Sequence, residues 1–172
     1  MDGKTRVCGL IANPVEHSMS PMMHNFFARR TGVNLAYVPF KVEEDQVGDA
    51  VKGAYALNIL GMNVTVPHKQ RVMDFLSELD EDARAIGAVN TLVRTAAGFK
   101  GYNTDGAGLK RALAQAGIPT EGEHCLLIGA GGAAKAAAYV LAKGGAAKIH
   151  ILNRNEARAR ELAGYINTLT GS

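Results

Sequence analysis

The sequence predicts an α/β fold: a mainly parallel sheet domain, followed by part of a second, doubly wound unit. Three observations predict it. Short β-rich apolar runs alternate with runs of helical period along the chain, the order expected of parallel sheets with helical crossovers. A glycine turn, "LLIGAGGAAKA", joins such a strand to a helix at residues 126–136. Beyond residue 120 only two strand-like runs occur, "CLLIG" and "KIHIL", so the second unit is expected to be incomplete beside a full six-strand order.

Taken in order, "RVCGLIA" (6–12) reads as a strand. "SPMMHNFFARRTG" (20–32) reads as a helix, with Ser20 as N-cap, Pro21 at the first helical position and Gly32 as the stop. "NLAYVPFKV" (34–42) is a strand that Pro39 assigns to a sheet edge or a strand end. "EDQVGDAVKGAYAL" (44–57) has helical period, weakened by two glycines. "GMNVTVP" (61–67) is a short strand ending at proline, and "HKQRVMDFLSEL" (68–79) carries a helical stripe at 72, 73, 75, 76 and 79. "VNTLVRTAAGFKGYN" (89–103) is a hairpin turning at Ala97–Gly98. A helix over 104–117 follows, with Leu109, Ala112, Leu113 and Ala116 on one face, and then strand, turn and helix twice, over 123–145 and 147–167. The predicted division is 1–105, a linking helix region 106–120, and an incomplete unit 121–172.

With 47% hydrophobic and 20% charged residues the chain has the composition of a soluble globular protein. No apolar run reaches the ~18 residues of a membrane span and no charged-then-apolar leader opens the chain, which gives the expectation of a cytoplasmic protein without a membrane partner. The net charge of +3 is dispersed and lacks interleaved aromatics, which argues against a nucleic-acid partner. Cys8 and Cys125 lie in apolar runs and are expected as buried free thiols; no zinc spacing, and hence no metal site, is found.

The glycine turn has the form G-x-G-x-x-A at Gly129, Gly131 and Ala134. The first glycine permits the tight turn, the second lets backbone approach a pyrophosphate, and the alanine keeps helix and strand close. The helix N-terminus offers N–H groups to phosphate. A dinucleotide is therefore the expected ligand of this Rossmann-type unit. At the end of the next strand stand Asn153, Arg154 and Asn155, where an NAD binder usually has a carboxylate. Arg154, with Arg158 a turn further on, suits a 2′-phosphate, which favours NADP. Arg160 fits a solvated helix face.

The first half has polar residues near its strand ends: Asn63, Thr65 and Lys69 in "NVTVPHKQ", Asn90 in "GAVNTL" and Asp105 in "GYNTDGAG". In "NPVEHSMSPMMHN", Ser18 and Ser20 are spaced i, i+2, so in an extended segment both hydroxyls would aim at one point.

Together the stretches "NPVEHSMSPMMHN", "NVTVPHK", "AIGAVNT", "GYNTDGAG", "LLIGAGGAAKA" and "NRNEARARELA" resemble the shikimate dehydrogenase family, in its order and nearly end to end. The resemblance implies that Ser18 and Ser20 bind the substrate carboxylate. It implies that Lys69 is the catalytic lysine, Asp105 its acidic partner, and Thr65 and Asn90 contacts or supports of the ring hydroxyls. Gly129, Ala130, Gly131, Gly132 and Ala133 match the phosphate turn, and Asn153, Arg154 and Arg158 the 2′-phosphate clamp. Asn155 stands where many members carry threonine. The activity implied is reversible, NADP-dependent reduction of 3-dehydroshikimate to shikimate in aromatic amino-acid (chorismate) biosynthesis. Lys69 would stabilise the alkoxide that forms as hydride arrives, and could supply its proton. An ionised Asp105 at a helix N-terminus would favour the charged lysine. The family's remaining strands are not found here, so a fragment of a longer enzyme is expected, working as a monomer or homodimer. The alternatives are a quinate/shikimate dehydrogenase, a non-catalytic shikimate-binding module, or a chain that acts only beside another segment.

Overall fold

The computed structural model describes residues 1–170, Thr170 by its backbone alone; Gly171 and Ser172, the end of the predicted 121–172 unit, lie outside the described residues. The chain forms two compact units, Met1–Asp80 with Val89–Tyr102, and Glu81–Ala88 with Asn103–Ser172.

The first unit is built on six strands, β1 (Arg6–Ala12), β2 (Leu35–Lys41), β3 (Gly61–Val64), β4 (Glu78–Leu79), β5 (Thr91–Thr95) and β6 (Gly98–Tyr102). They lie in the order β2-β1-β3-β5-β6-β4. β1 pairs in parallel with β2 and β3, and β4 with β6; β5 runs antiparallel to both its neighbours. The sheet is thus mostly parallel, as expected. β2 is an edge strand, so Pro39 leaves no ladder position without its donor. β1 lies inside the sheet, and Leu10, Ile11 and Ala12 are buried in succession rather than alternately. Gly9 admits no side chain: a Cβ there would stand 2.4 Å from the Phe40 ring and 2.6 Å from the Val38 carbonyl oxygen.

Helix α1 (Ser20–Thr31) ends where Gly32 turns left-handed at φ 69°, with Val33 N–H bonded to Ala28 O at 3.0 Å. Its start corrects the sequence reading. Met19 is the N-cap and Ser20 the first helical residue, while Ser18 Oγ accepts from Ser20 N–H at 3.3 Å. Met19 has helical dihedrals, so the two serines do not share an extended segment and the alternation argument does not apply to them. A 3-10 turn, Glu44–Gln46, leads into α2 (Val47–Ala56).

The run 68–79 is not the expected helix. A 3-10 helix spans Arg71–Phe75, and β4 follows. Ser77 N–H bonds Phe99 O at 3.0 Å and Asp80 N–H bonds Gly101 O at 2.9 Å, so pairing with β6 takes the segment that periodicity had given to a helix. The hairpin turns one residue earlier than expected, at Ala96–Ala97, with Gly98 opening β6.

The second unit contains α3 (Glu81–Ile86), which the sequence reading did not identify, α4 (Asp105–Gln115), β7 (His124–Ile128), α5 (Gly132–Lys143), β8 (Lys148–Leu152) and α6 (Glu156–Thr170). β7 and β8 are parallel partners. One face of this pair is covered: Leu127, Ile149 and Ile151 pack with Ala138 of α5 and Leu162 and Ile166 of α6. On the other face Leu126, Ile128 and Leu152 are 65%, 75% and 59% exposed. Ile86 and Ala88 are buried against Ala136. Cys8 and Cys125 are free, as expected, but half-buried rather than buried. Among the described residues no helix is long and apolar enough to cross a membrane.

Candidate active site

In the first unit the sheet topology brings the predicted residues to one edge. β1 and β3 are parallel neighbours, so the segments that follow them, carrying Ser18 and Ser20 and carrying Thr65 and Lys69, leave from the same carboxyl end. β5 is antiparallel to β3, with Asn63 opposite Thr91, so Asn90 enters at that end too. The loops are tied there. Asn13 N–H bonds Val66 O at 3.2 Å, Thr65 N–H bonds Ile11 O at 3.2 Å, and Val89 N–H bonds Lys69 O at 2.7 Å. Ligands of open α/β sheets bind at such strand ends.

Ser18, Ser20, Thr65 and Lys69 are half-buried, and Asn90 is buried. Thr91 Oγ1 donates to Asn90 Oδ1 at 2.9 Å. Beneath them Tyr37 donates its hydroxyl to Asn63 Oδ1 at 2.7 Å and stacks on His24 with 4.3 Å between ring centroids. Burial, aided by the nearby Cys8, pushes the Tyr37 hydroxyl up to about 12, which keeps it a hydrogen-bond donor.

Asp105 belongs to the second unit, as the first residue of α4, which agrees with its predicted first-turn position. Asn103, buried at 7% exposure, organises this start. Its Oδ1 accepts from Asp105 N–H at 3.0 Å and from Gly106 N–H at 3.4 Å, while its Nδ2 donates to Ala88 O at 2.9 Å. Sequence reasoning passed over Asn103. An asparagine two residues before a helix-opening aspartate is the signal that could have found it.

The glycine turn of the second unit has the predicted form. Gly129 adopts φ 119°, reserved in practice for glycine, and its N–H bonds Leu152 O at 2.8 Å. Ala130 is buried, Gly131 is the extended N-cap of α5, and Gly132 and Ala133 open that helix. A helix start has N–H groups with no acceptor within the helix, and they suit an anion. Because β7 and β8 are parallel, Asn153 and Arg154 leave β8 at the same sheet edge as the turn. Asn153 Nδ2 donates to Asn155 O at 2.8 Å, and Asn155 Oδ1 accepts from Arg158 N–H at 3.3 Å, so Asn155 caps α6. Arg154 and Arg158 are exposed. Arg160 pairs with Glu156 at 2.6 Å along the helix, which agrees with its reading as a solvated face.

A mostly parallel substrate-type sheet joined to a strand, glycine turn, helix and strand defines a protein of the Rossmann type. The profile described as the shikimate dehydrogenase substrate binding domain matches residues 10–92, and that described as shikimate / quinate 5-dehydrogenase matches residues 112–170. The chain is 54% identical to the shikimate dehydrogenase (NADP(+)) of Desulforamulus reducens over 95% of its own length and 56% of that protein's. A crystal structure of a shikimate dehydrogenase in complex with NADP+ superposes with a TM-score of 0.91 at 43% identity, over 100% of this chain and 59% of that one. The shikimate 5-dehydrogenase of Listeria monocytogenes, in complex with shikimate and NAD, gives 0.87 at 38% identity, over 98% and 59%. The chain belongs to the shikimate dehydrogenase family. It spans about three fifths of the length of these relatives.

Proposed function

We propose that this chain provides the substrate half and the adenosine-phosphate side of an enzyme that interconverts 3-dehydroshikimate and shikimate with NADP, in the cytoplasmic biosynthesis of chorismate and the aromatic amino acids. The observation that supports it best is the gathering of Ser18, Ser20, Thr65, Lys69 and Asn90 on segments at one sheet edge, in a chain 54% identical to a shikimate dehydrogenase (NADP(+)). Residues 1–105 serve the substrate, 106–120 link, and 121–172 serve the cofactor.

In this reading Ser18 and Ser20 hold the substrate carboxylate with hydroxyl donors. Thr65 and Asn90 orient the ring hydroxyls. NADPH supplies the hydride when bound. Lys69 stabilises the alkoxide that forms at the former ketone oxygen and passes it a proton, and Asp105 keeps the lysine charged. Gly129 to Ala133 approach the pyrophosphate with backbone N–H groups, and Asn153, Arg154, Asn155 and Arg158 receive the 2′-phosphate. Arg154 and Arg158 are exposed at the right edge for that task. The Listeria relative was crystallised with NAD, so the preference for NADP rests here on Arg154.

The test is NADPH oxidation with 3-dehydroshikimate, alongside calorimetric titration of shikimate and of NADP separately. Binding of both ligands with hydride transfer supports the reading. Binding of shikimate alone, without turnover, identifies a shikimate-binding module instead. A second substrate, quinate, is suggested by the description of the profile matched at 112–170, and the ratio of quinate to shikimate turnover decides it. Self-association would use the exposed edge of the β7–β8 sheet, beside the exposed Leu126, Ile128 and Leu152, with a monomer as the alternative; sedimentation distinguishes them.

A further inference from the structure

We infer that His68 is a positioning residue for Lys69: its imidazole fastens the loop that carries Thr65 and Lys69 to the end of β2 through one Nε2–H···O=C hydrogen bond. The inference rests on the role proposed for Lys69. His68 is 0% exposed, and its Nε2 lies 2.8 Å from Val42 O. A carbonyl oxygen only accepts, so Nε2 carries the proton and Nδ1 presents a lone pair. That Nδ1 is buried with no hydrogen-bond partner. A side chain serving burial alone would be better apolar here, because leucine or phenylalanine fills such a space without an unmet polar atom. The contribution of the ring is therefore its bond through Nε2.

Where that bond leads gives it meaning. Val42 follows β2, and its own N–H donates to Ala12 O at the end of β1, at 3.1 Å. The loop is held at three other places, by Asn13 N–H on Val66 O at 3.2 Å, by Thr65 N–H on Ile11 O at 3.2 Å and by Val89 N–H on Lys69 O at 2.7 Å. Lys69 thus sits on a loop tied to the ends of β1 and β2 and to the approach of β5. Three of these four ties are backbone bonds that almost any sequence makes. The fourth belongs to the side chain of His68, one residue from Lys69. A tie to a rigid strand end is the kind of support that holds a reacting group within the tolerance catalysis needs.

Three variants test this: His68→Phe keeps the volume and loses the donor, His68→Gln keeps an amide N–H at about the reach of Nε2, and His68→Asn keeps an amide too short to reach. Each is made in the 172-residue chain, and acetylation of Lys69 by acetic anhydride is followed by peptide mass spectrometry against the exposed Lys52. Faster labelling of Lys69 relative to Lys52 in the Phe and Asn variants, with the wild-type ratio in Gln, is the expected result. Equal ratios in all four proteins overturn the inference, as does a Gln variant that behaves like Phe. Should His68→Phe not fold, the Asn and Gln pair, both polar, decides alone. In the complete enzyme kcat should fall about tenfold or more in Phe and Asn, with KM for shikimate nearly unchanged and Gln restored. Unchanged kcat in Phe and Asn, in an active enzyme, overturns the inference and spares the assigned activity. Absence of turnover in the wild-type enzyme, with the labelling contrast intact, counts against the catalytic role of Lys69 and supports the hold of His68 on the loop.

Discussion

Replacing Asn103 by alanine should destabilise the second unit more than any ordinary surface change. The side chain makes two kinds of bond, and the structure separates them. Its Oδ1 accepts from the N–H groups of Asp105 and Gly106 at the start of α4, and loss of such an N-terminal partner costs about 0.5–2 kcal/mol. Its Nδ2 donates to the carbonyl of Ala88, a residue 0% exposed. A carbonyl left unmet in the interior costs about 1–3 kcal/mol. The expected total is therefore about 1.5–5 kcal/mol, or a melting temperature lower by roughly 3–20 °C for a chain of this size. Asn103→Asp should fall between the two, since a carboxylate still accepts from the helix N–H groups and suits the helix start, yet cannot donate to Ala88. Urea unfolding followed by far-UV circular dichroism measures all three proteins. A loss below about 0.5 kcal/mol for Asn103→Ala, the size of an ordinary surface substitution, would refute the assignment of these bonds as a structural joint.

Other expectations follow from the same residues. In the complete enzyme, Lys69→Ala should lower kcat at least ~10²-fold while shikimate affinity changes far less, as steady-state kinetics and calorimetry will show; an equal loss in binding with kcat kept means that the lysine only holds substrate. Arg154→Asp should weaken NADP sharply and leave NAD similar or better, because a phosphate partner is replaced by a like charge; an unchanged NADP/NAD ratio makes Arg154 a surface charge. Tyr37 has its folded-state pKa raised to about 12. The unfolded chain releases this proton first, so stability from this group is whole below ~10 and is lost as pH rises toward 12. Unfolding curves between those values should steepen for the wild type and flatten for Tyr37→Phe. Finally, amides of β7, which has one strand neighbour among the described residues, should exchange with deuterium well before those of β1, which has two. Comparable protection in both strands would contradict that ordering.

The sequence by itself determined most of the elements and the chemistry of their ends. The glycine turn was legible because its glycines answer a local demand: Gly129 takes a positive φ, whatever the rest of the fold does. Pro39 announced an edge strand for an equally local reason, its missing N–H. The strongly periodic helices and the two strands of the second unit were read to within a few residues. What failed depended on distant partners. Residues 68–79 carry a helical stripe, yet pairing of β4 with β6 governs the segment, and no window of sequence contains both strands. Ser18 and Ser20 looked like an extended pair because the backbone of Met19 is set by the start of α1, which spacing alone does not reveal. The tie of Asn103 to Ala88 and that of His68 to Val42 were invisible for the same reason, since the partners lie 15 and 26 residues away. The mixed pairing that carries the loops of Lys69 and Asn90 to one sheet edge was likewise decided by tertiary structure. Side-chain type and local dihedral demands are written residue by residue, whereas strand order and buried hydrogen-bond partners are set when the whole sheet minimises its unmet polar groups.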